Sequence, residues 1–157
     1  MGYLLLVLAI APFLVVARDI PAQPVPIALL TASDLWGRPS IIAYYRGTPL
    51  RLMLDTGAGG SILRPSAWNA LGQPGAGREA WVEDWKGTRY LVANPQLDGL
   101  KLGTCTLNDV DMLVADASLG PDVPGGYSGL VGVNLLRLLG GLSIDLSAAQ
   151  VTTAGCG

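Results

Sequence analysis

The hydrophobic residues of this chain fall into many short runs separated by glycine, proline and polar residues. Two of these runs, Ser40–Tyr45 and Pro49–Leu54, flank the turn residues Arg46-Gly47-Thr48. Short apolar runs joined by a turn of this length are typical of a β-hairpin. The pattern therefore predicts a chain built mainly of short strands, with turns that follow one another closely.

Further runs predict a second hairpin and two short helices. Glu79–Trp85 and Thr88–Ala93 flank Lys86-Gly87, which again indicates a hairpin. Pro65–Leu71 begins with proline and is followed by glycine, and Asn134–Leu139 is also followed by glycine, as short helices are. The remaining predicted strands are Leu97–Leu102, Thr104–Leu107, Asp111–Ala115, Leu142–Leu146 and Gln150–Thr153.

The amino-terminal segment differs from the rest of the chain because it is apolar and uncharged. Residues 1–17 carry no charged side chain, and the apolar run within them is shorter than the roughly 17 to 25 residues that span a bilayer. It fits a signal peptide cleaved after Ala17. Because no Lys or Arg precedes the run, an uncleaved membrane anchor and a buried helix remain alternatives. We expect a proline-rich linker over residues 18–26, a single domain over residues 27–157, and an extracytoplasmic location, either periplasmic or secreted.

Composition narrows the chemistry available to this domain. The chain has no histidine, which excludes Ser-His-Asp and Cys-His catalysis and every zinc site that needs a histidine. Its formal charge of −2 lacks the basic excess of nucleic-acid-binding proteins. We therefore expect no metal, no cofactor and no nucleic-acid partner.

The chain has two cysteines, Cys105 and Cys156. In an oxidising compartment they would form one disulfide that ties the carboxyl-terminal tail to the middle of the domain. Two free thiols are the alternative, because Cys156 lies one residue from the end of the chain.

One segment combines an apolar strand with a carboxylate. Leu52-Met53-Leu54 runs directly into Asp55-Thr56-Gly57-Ala58. A buried lone aspartate is costly unless its charge is shared or hydrogen-bonded, and Thr56 and the Gly57 amide are the expected donors. An ordinary aspartate-led turn at the surface is the alternative, although a surface turn usually follows an alternating strand.

These residues resemble the retropepsin-like aspartic proteases, single-domain relatives of pepsin found in retroviruses and bacteria. Leu54–Ala58 resembles the catalytic Asp-Thr-Gly-Ala of that family, and Gly129-Leu130-Val131-Gly132 followed by Asn134 resembles its second hallmark. Leu142–Leu146 resembles the strand that follows in bacterial members. The similarity covers Pro39 to Thr153 and implies an all-β fold, a closed barrel with one or two short helices.

The resemblance also implies a mechanism. Each subunit of such an enzyme supplies one aspartate, here Asp55, so that a homodimer is required to hydrolyse a peptide or protein substrate. The two carboxylates share a proton and activate a water molecule, with no covalent intermediate and no cofactor. The residues that the resemblance assigns to support of this loop are Thr56, Gly57, Ala58, Val131 and Gly132.

The hairpin over Glu79–Ala93 is the candidate flap that closes over the substrate. Its tip, Trp85-Lys86-Gly87-Thr88, differs from the glycine-rich tips of retroviral flaps, and ordinary hairpin packing of its aromatic side chains is the alternative. The candidate flap and substrate-binding residues are Trp81, Trp85, Lys86, Gly87 and Tyr90.

Two other functions compete with the protease. A retropepsin-like domain that binds peptides or mediates assembly without cleaving anything would carry the same motifs. An unrelated small exported β-domain would carry Asp-Thr-Gly by coincidence, with Asp55 far from Gly132.

Overall fold

The computed structural model describes residues 25–31, 39–84, 86–115, 126–145, 147–148 and 150–153, with side chains from residue 39 onward. The expected signal or anchor segment lies outside these residues. Two short helices occur in the described part, α1 (Pro65–Ala70) and α2 (Val133–Leu138). The strands are β1 (Val25–Thr31), β2 (Pro39–Tyr45), β3 (Thr48–Leu54), β4 (Ser61–Leu63), β5 (Glu79–Glu83), β6 (Arg89–Ala93), β7 (Gln96–Leu97), β8 (Leu100–Leu102), β9 (Cys105–Leu107), β10 (Val110–Val114), β11 (Gly129–Val131), β12 (Leu142–Asp145) and β13 (Gln150–Thr153).

Both predicted hairpins are present. In the first, Tyr45 pairs with Thr48, and the two residues between them have positive φ, 50° at Arg46 and 83° at Gly47. Two such residues form the turn that matches the twist of antiparallel strands. In the second, β5 and β6 pair from Glu79↔Ala93 to Glu83↔Arg89. The two predicted helices are also confirmed, each to within a residue or two.

Most strand boundaries differ from the prediction by a residue or two, and two differences are larger in effect. β1 begins at Val25, which pairs with Thr153, so two residues of the expected linker belong to a strand. The predicted strand Leu97–Leu102 is divided into β7 and β8, because Gly99 has a φ of +79°, which an extended strand does not tolerate.

The expected closed barrel is not what the described strands form. They make an open sheet in the order β12-β13-β1-β2-β3-β11-β4-β10-β6-β5, with β7, β8 and β9 attached beside this path. One end of the sheet is β12, which pairs with β13, and the other is β5, which pairs with β6. The hairpin of β5 and β6 joins the sheet through a single registered pair, Val114↔Ala93. It therefore projects from the sheet instead of closing it.

β3 separates two clusters of buried residues, because successive side chains of a strand point to opposite faces. Leu50 and Leu52 belong to the main core, which also takes in Leu135 of α2. Met53 belongs instead to a small cluster with Tyr127 and Leu130, which we call the second cluster. No helix of the described residues is long and apolar enough to cross a membrane. β3 thus packs against the main core on one face and against the second cluster on the other.

Candidate active site

Asp55 lies in the turn directly after β3. Its backbone N–H donates to the Val131 carbonyl at 3.0 Å, which holds the start of the turn against the end of β11. Its Oδ1 accepts a hydrogen bond from the Gly57 amide at 2.9 Å. The carboxylate is half-buried, and Thr56, the other expected donor, is exposed. Asp55 is therefore fixed in position yet open to solvent on one side.

The strand pairing brings the two sequence hallmarks together. β11 runs parallel to β3, with Leu130 opposite Met53 and Val131 opposite Leu54. β11 also pairs with β4, and a Cβ at Gly129 would overlap the Ile62 carbonyl. Only glycine permits this close approach of three strands. The reading in which Asp55 lies far from the second hallmark is therefore wrong.

A buried hydroxyl links the second hallmark to α2. Ser61 is 0% exposed; its Oγ accepts from the Gly132 amide at 2.9 Å and donates to Asn134 Oδ1 at 2.7 Å. The same Oδ1 accepts from the Ser61 amide at 2.7 Å, and Asn134 Nδ2 donates to the Asp111 carbonyl at 2.8 Å. Ser61 and Asn134 were not predicted as site residues. Their signal in the sequence is a polar residue at the start of an apolar strand and another in the first turn of an apolar helix.

The loop after Asp55 packs directly on the amino-terminal end of α2. The Val133 amide donates to the Ala58 carbonyl at 2.8 Å. A Cβ at Gly132 would lie 2.7 Å from that same carbonyl oxygen and would also overlap the Gly60 backbone. Gly132 is therefore required by space.

The candidate flap residues divide between the two faces of the second hairpin. Trp81 pairs with Leu91 and Tyr90 pairs with Val82, so Trp81 and Tyr90 point to opposite faces. Trp81 is 62% exposed, whereas Tyr90 is half-buried. They do not form one aromatic surface, because a strand alternates its side chains. Trp85 lies outside the described residues.

Asp84 organises the tip of this hairpin. Its Oδ1 accepts hydrogen bonds from the amides of Lys86 and Thr88, each at 2.8 Å, and its Oδ2 accepts from the Tyr90 hydroxyl at 3.2 Å. The Thr88 backbone hydrogen bond, more than any other group, lowers the pKa of the Asp84 carboxyl below its ordinary value. Lys86 and Gly87 are exposed at this tip. Asp84 was not predicted as a site residue, although an aspartate two residues before Lys86-Gly87 is a known turn signal.

Cys105 is buried and disulfide-bonded. Cys156, the second cysteine of the sequence, lies outside the described residues, so its pairing with Cys105 stays a prediction. In the part of the chain that the structure covers, no three His, Cys, Asp or Glu side chains lie close enough together to hold a metal ion.

Asp55 is half-exposed at the end of β3, beside the parallel strand β11, in a small β domain. Comparison with known proteins shows the family that carries this arrangement. The aspartyl protease family model matches residues 41–135, more than half of the chain. The chain belongs to this family of hydrolases.

Solved structures show the retropepsin-like fold. One is a retropepsin-like aspartic protease from Rickettsia conorii, 21% identical with a TM-score of 0.55, over 83% of this chain and 89% of that one. Another is the EIAV protease, solved with the inhibitor HBY-793, 26% identical with a TM-score of 0.50, over 73% of this chain and 99% of that one. A search of curated proteins gives no match.

The Ser61 hydroxyl provides a first test of the site. Ser61→Ala removes the acceptor of the buried Gly132 amide, and an amide left without a partner costs about 1–3 kcal/mol of unfolding free energy. Urea denaturation measures this loss. Ser143→Ala is the matched control, because Ser143 is exposed on β12 and its loss is expected to change stability by less than about 0.5 kcal/mol. Equal effects of the two variants would contradict the role of Ser61.

The Asp84 carboxylate provides a pH test. Because its pKa is lowered in the folded state, its stabilisation of the tip is complete above the ordinary aspartate pKa and is lost as pH falls through the lowered value. The NMR chemical shifts of the Lys86 and Thr88 amide protons, followed from pH 6 down to pH 2.5, should change together. The midpoint of this change should lie below the ordinary pKa of an aspartate. In Asp84→Asn this shared transition should be absent. Its persistence would assign the transition to another group.

Proposed function

We propose that this chain is an aspartic endopeptidase that acts as a homodimer, in which Asp55 of each copy supplies one of two catalytic carboxylates. The observation that carries the proposal is that Asp55 occupies the fixed, half-exposed turn beside Val131. The sequence contains one Asp-Thr-Gly and no Asp-Ser-Gly. A second carboxylate in an equivalent turn therefore has to come from a second copy of the chain.

Two like carboxylates a few ångströms apart share one proton, because both cannot ionise easily. The ionised carboxylate takes a proton from a water molecule as the water oxygen bonds to the carbonyl carbon of the peptide. The protonated carboxyl donates its proton to the carbonyl oxygen. When the resulting tetrahedral intermediate collapses, the C–N bond breaks and the leaving amine takes up a proton from the protonated carboxyl of the dyad. The other carboxylate takes a proton from one hydroxyl of the intermediate, so that the new carboxyl group forms and the dyad again holds one shared proton. No bond forms between enzyme and substrate.

The neighbours of Asp55 have distinct roles in this proposal. The Gly57 amide holds one carboxylate oxygen in place, and the exposed Thr56 braces the two turns across the dimer. Ala58 orients the substrate backbone, while Val131 and Gly132 support the turn from within. Backbone groups that hold a catalytic side chain before substrate arrives reduce the cost of orienting it during reaction.

The hairpin of β5 and β6 is proposed to cover an extended peptide. Its half-buried face carries Val82 and Tyr90 and turns toward the domain, so this face, and not the Trp81 face, contacts the substrate. Lys86 and Gly87 are exposed at the tip of this hairpin. An extended peptide pairs with such a hairpin through its backbone, as an added strand does.

Asp55→Asn tests the catalytic role. The substitution removes the shared-proton chemistry and almost no volume, so cleavage of a mixed peptide library should fall by about 10²–10⁴-fold or more while the fold is retained. Activity of the unaltered protein should be highest on the acidic side of neutral and should rise with the dimer fraction measured by sedimentation. Asp98→Asn, an exposed carboxylate, is the matched control and should keep full activity.

Each contrary outcome points to a definite alternative. Full activity in Asp55→Asn would remove Asp55 from the mechanism. An inert protein that sediments as a dimer would favour a peptide-binding domain without catalysis, and an active monomer would exclude the shared dyad.

We further propose that the protease works outside the cytoplasm. The uncharged apolar run in residues 1–17 supports export, and it leaves open whether the run is cleaved or stays as a membrane tether. The disulfide bond at buried Cys105 gives independent support, because structural disulfides persist in oxidising compartments.

The location is tested by fractionation and thiol counting on the full chain. Protein recovered from the extracytoplasmic fraction should show no free thiol without reductant and two with reductant. Sequencing of its amino terminus should begin at Arg18 if the run is cleaved and at Met1 if it is retained. Recovery in the cytoplasm with two free thiols would contradict both the export and the disulfide.

A further inference from the structure

Arg51 lies on β3 four residues before Asp55, on the face opposite the main core. Leu50 and Leu52, its neighbours in sequence, are both in that core. Arg51 shares its face with Met53 instead, because side chains alternate along a strand. At about 3.3 Å per residue, the backbone of Arg51 lies about 13 Å from that of Asp55 along the strand. The charged residue Arg51 therefore lies on the same strand that leads to the Asp55 carboxylate.

The second cluster lies on this face of β3, and its member Met53 stands between Arg51 and Asp55 along the chain. Met53, Tyr127 and Leu130 are buried in it, and Ala58 of the Asp55 turn packs against it. At the other end, the Arg51 guanidinium stacks on the Tyr127 ring, 4.7 Å from the ring centroid. A layer of buried apolar side chains thus connects the Asp55 turn to the Arg51 cation on this face of β3.

The guanidinium is held in place, and among the described residues its side-chain hydrogen bond is the one from Nε to Ser40. Its Nε donates to Ser40 Oγ at 3.3 Å, and the stacking on Tyr127 fixes the plane of the group. The two terminal nitrogens carry four further N–H groups, which no described residue accepts. No carboxylate of the described residues forms an ion pair with Arg51; the ion pair that they do contain joins Arg78 to Asp111.

The backbone around Arg51 is equally well defined. The Arg51 amide donates to Ser128 Oγ at 3.2 Å, and the Ser128 amide donates to the Arg51 carbonyl at 2.7 Å. These bonds fix the segment that carries Tyr127 to β3. A cation held by both its ring partner and its backbone loses little freedom when it binds a ligand.

We infer that Arg51 is a specificity-determining residue that binds an acidic side chain of the substrate, three or four residues from the cleaved bond. The inference rests on the proposed function, since it uses Asp55 as the point of cleavage. An extended peptide covers about 13 Å in four residues. The planar guanidinium matches a carboxylate through two parallel N–H···O bonds, a geometry that no neutral side chain provides.

Peptide cleavage by the full chain measures this preference. A set of peptides with Glu, Gln or Lys at each of the four positions on either side of the cleaved bond should reveal one position, three or four residues away, where Glu is favoured over Gln by about tenfold in kcat/KM. Most of the difference should lie in KM. Arg51→Gln should abolish the preference, so that the Glu and Gln peptides are cleaved with equal kcat/KM, and Arg51→Glu should favour Lys at that position.

Arg46→Gln is the matched control. Arg46 also stacks on an aromatic ring, that of Tyr45 at 5.2 Å, but it lies in the turn at the far end of β3 from Asp55. The preference for Glu should survive this substitution. Retention of the preference in Arg51→Gln, or its equal loss in Arg46→Gln, would overturn the inference while leaving the protease intact.

Binding separates failure of the inference from failure of the proposed function. Fluorescence anisotropy with labelled Glu and Gln peptides needs no cleavage and is performed on the Asp55→Asn protein with and without Arg51→Gln. Tighter binding of the Glu peptide that depends on Arg51 supports the inference even if the unaltered protein cleaves nothing. Equal binding of both peptides, or no binding of either, overturns it.

Discussion

The parallel pairing of β3 and β11 is the constraint on which the rest of the site depends. A single backbone bond, from the Asp55 amide to the Val131 carbonyl, joins the end of one strand to the end of the other. Gly129 allows β11 to lie against β4 at the same time, and Gly132 allows the loop after Asp55 to settle on α2. Larger residues at either glycine would separate these backbone segments, and the aspartate would no longer be held beside Val131.

The local pattern of the sequence was enough for most elements, because the turns carry unambiguous residues. Arg46-Gly47 and Lys86-Gly87 mark two hairpins, and a proline at the start or glycines at the end mark the helices. The position of Asp55 in a turn at the end of a strand was predictable because an apolar strand runs directly into Asp-Thr-Gly. Closure of the sheet was not predictable in this way, since it depends on how β5 and β6 meet the sheet, which no local pattern records.

The parts of the site that escaped prediction are polar residues whose partners are distant in sequence. Ser61 contacts Gly132 and Asn134, more than seventy residues away, and nothing near Ser61 indicates this. The two faces of the β5 and β6 hairpin show a related limit. Trp81 and Tyr90 look equivalent as aromatic residues, yet the register assigns them to opposite sides. Register is fixed by the turn, and the turn here is set by Asp84.

The attachment of that hairpin has a mechanical consequence. Five registered pairs hold β5 to β6, whereas one pair and the neighbouring ion pair of Arg78 with Asp111 connect the hairpin to β10. A hairpin whose two strands are held together by more pairs than hold it to the sheet is expected to move as one unit about its base. Opening and closing of the hairpin would then be governed by a few residues at its base, remote from both the tip and Asp55. Substitutions there would change how long a peptide resides in the enzyme without altering the groups that cut it.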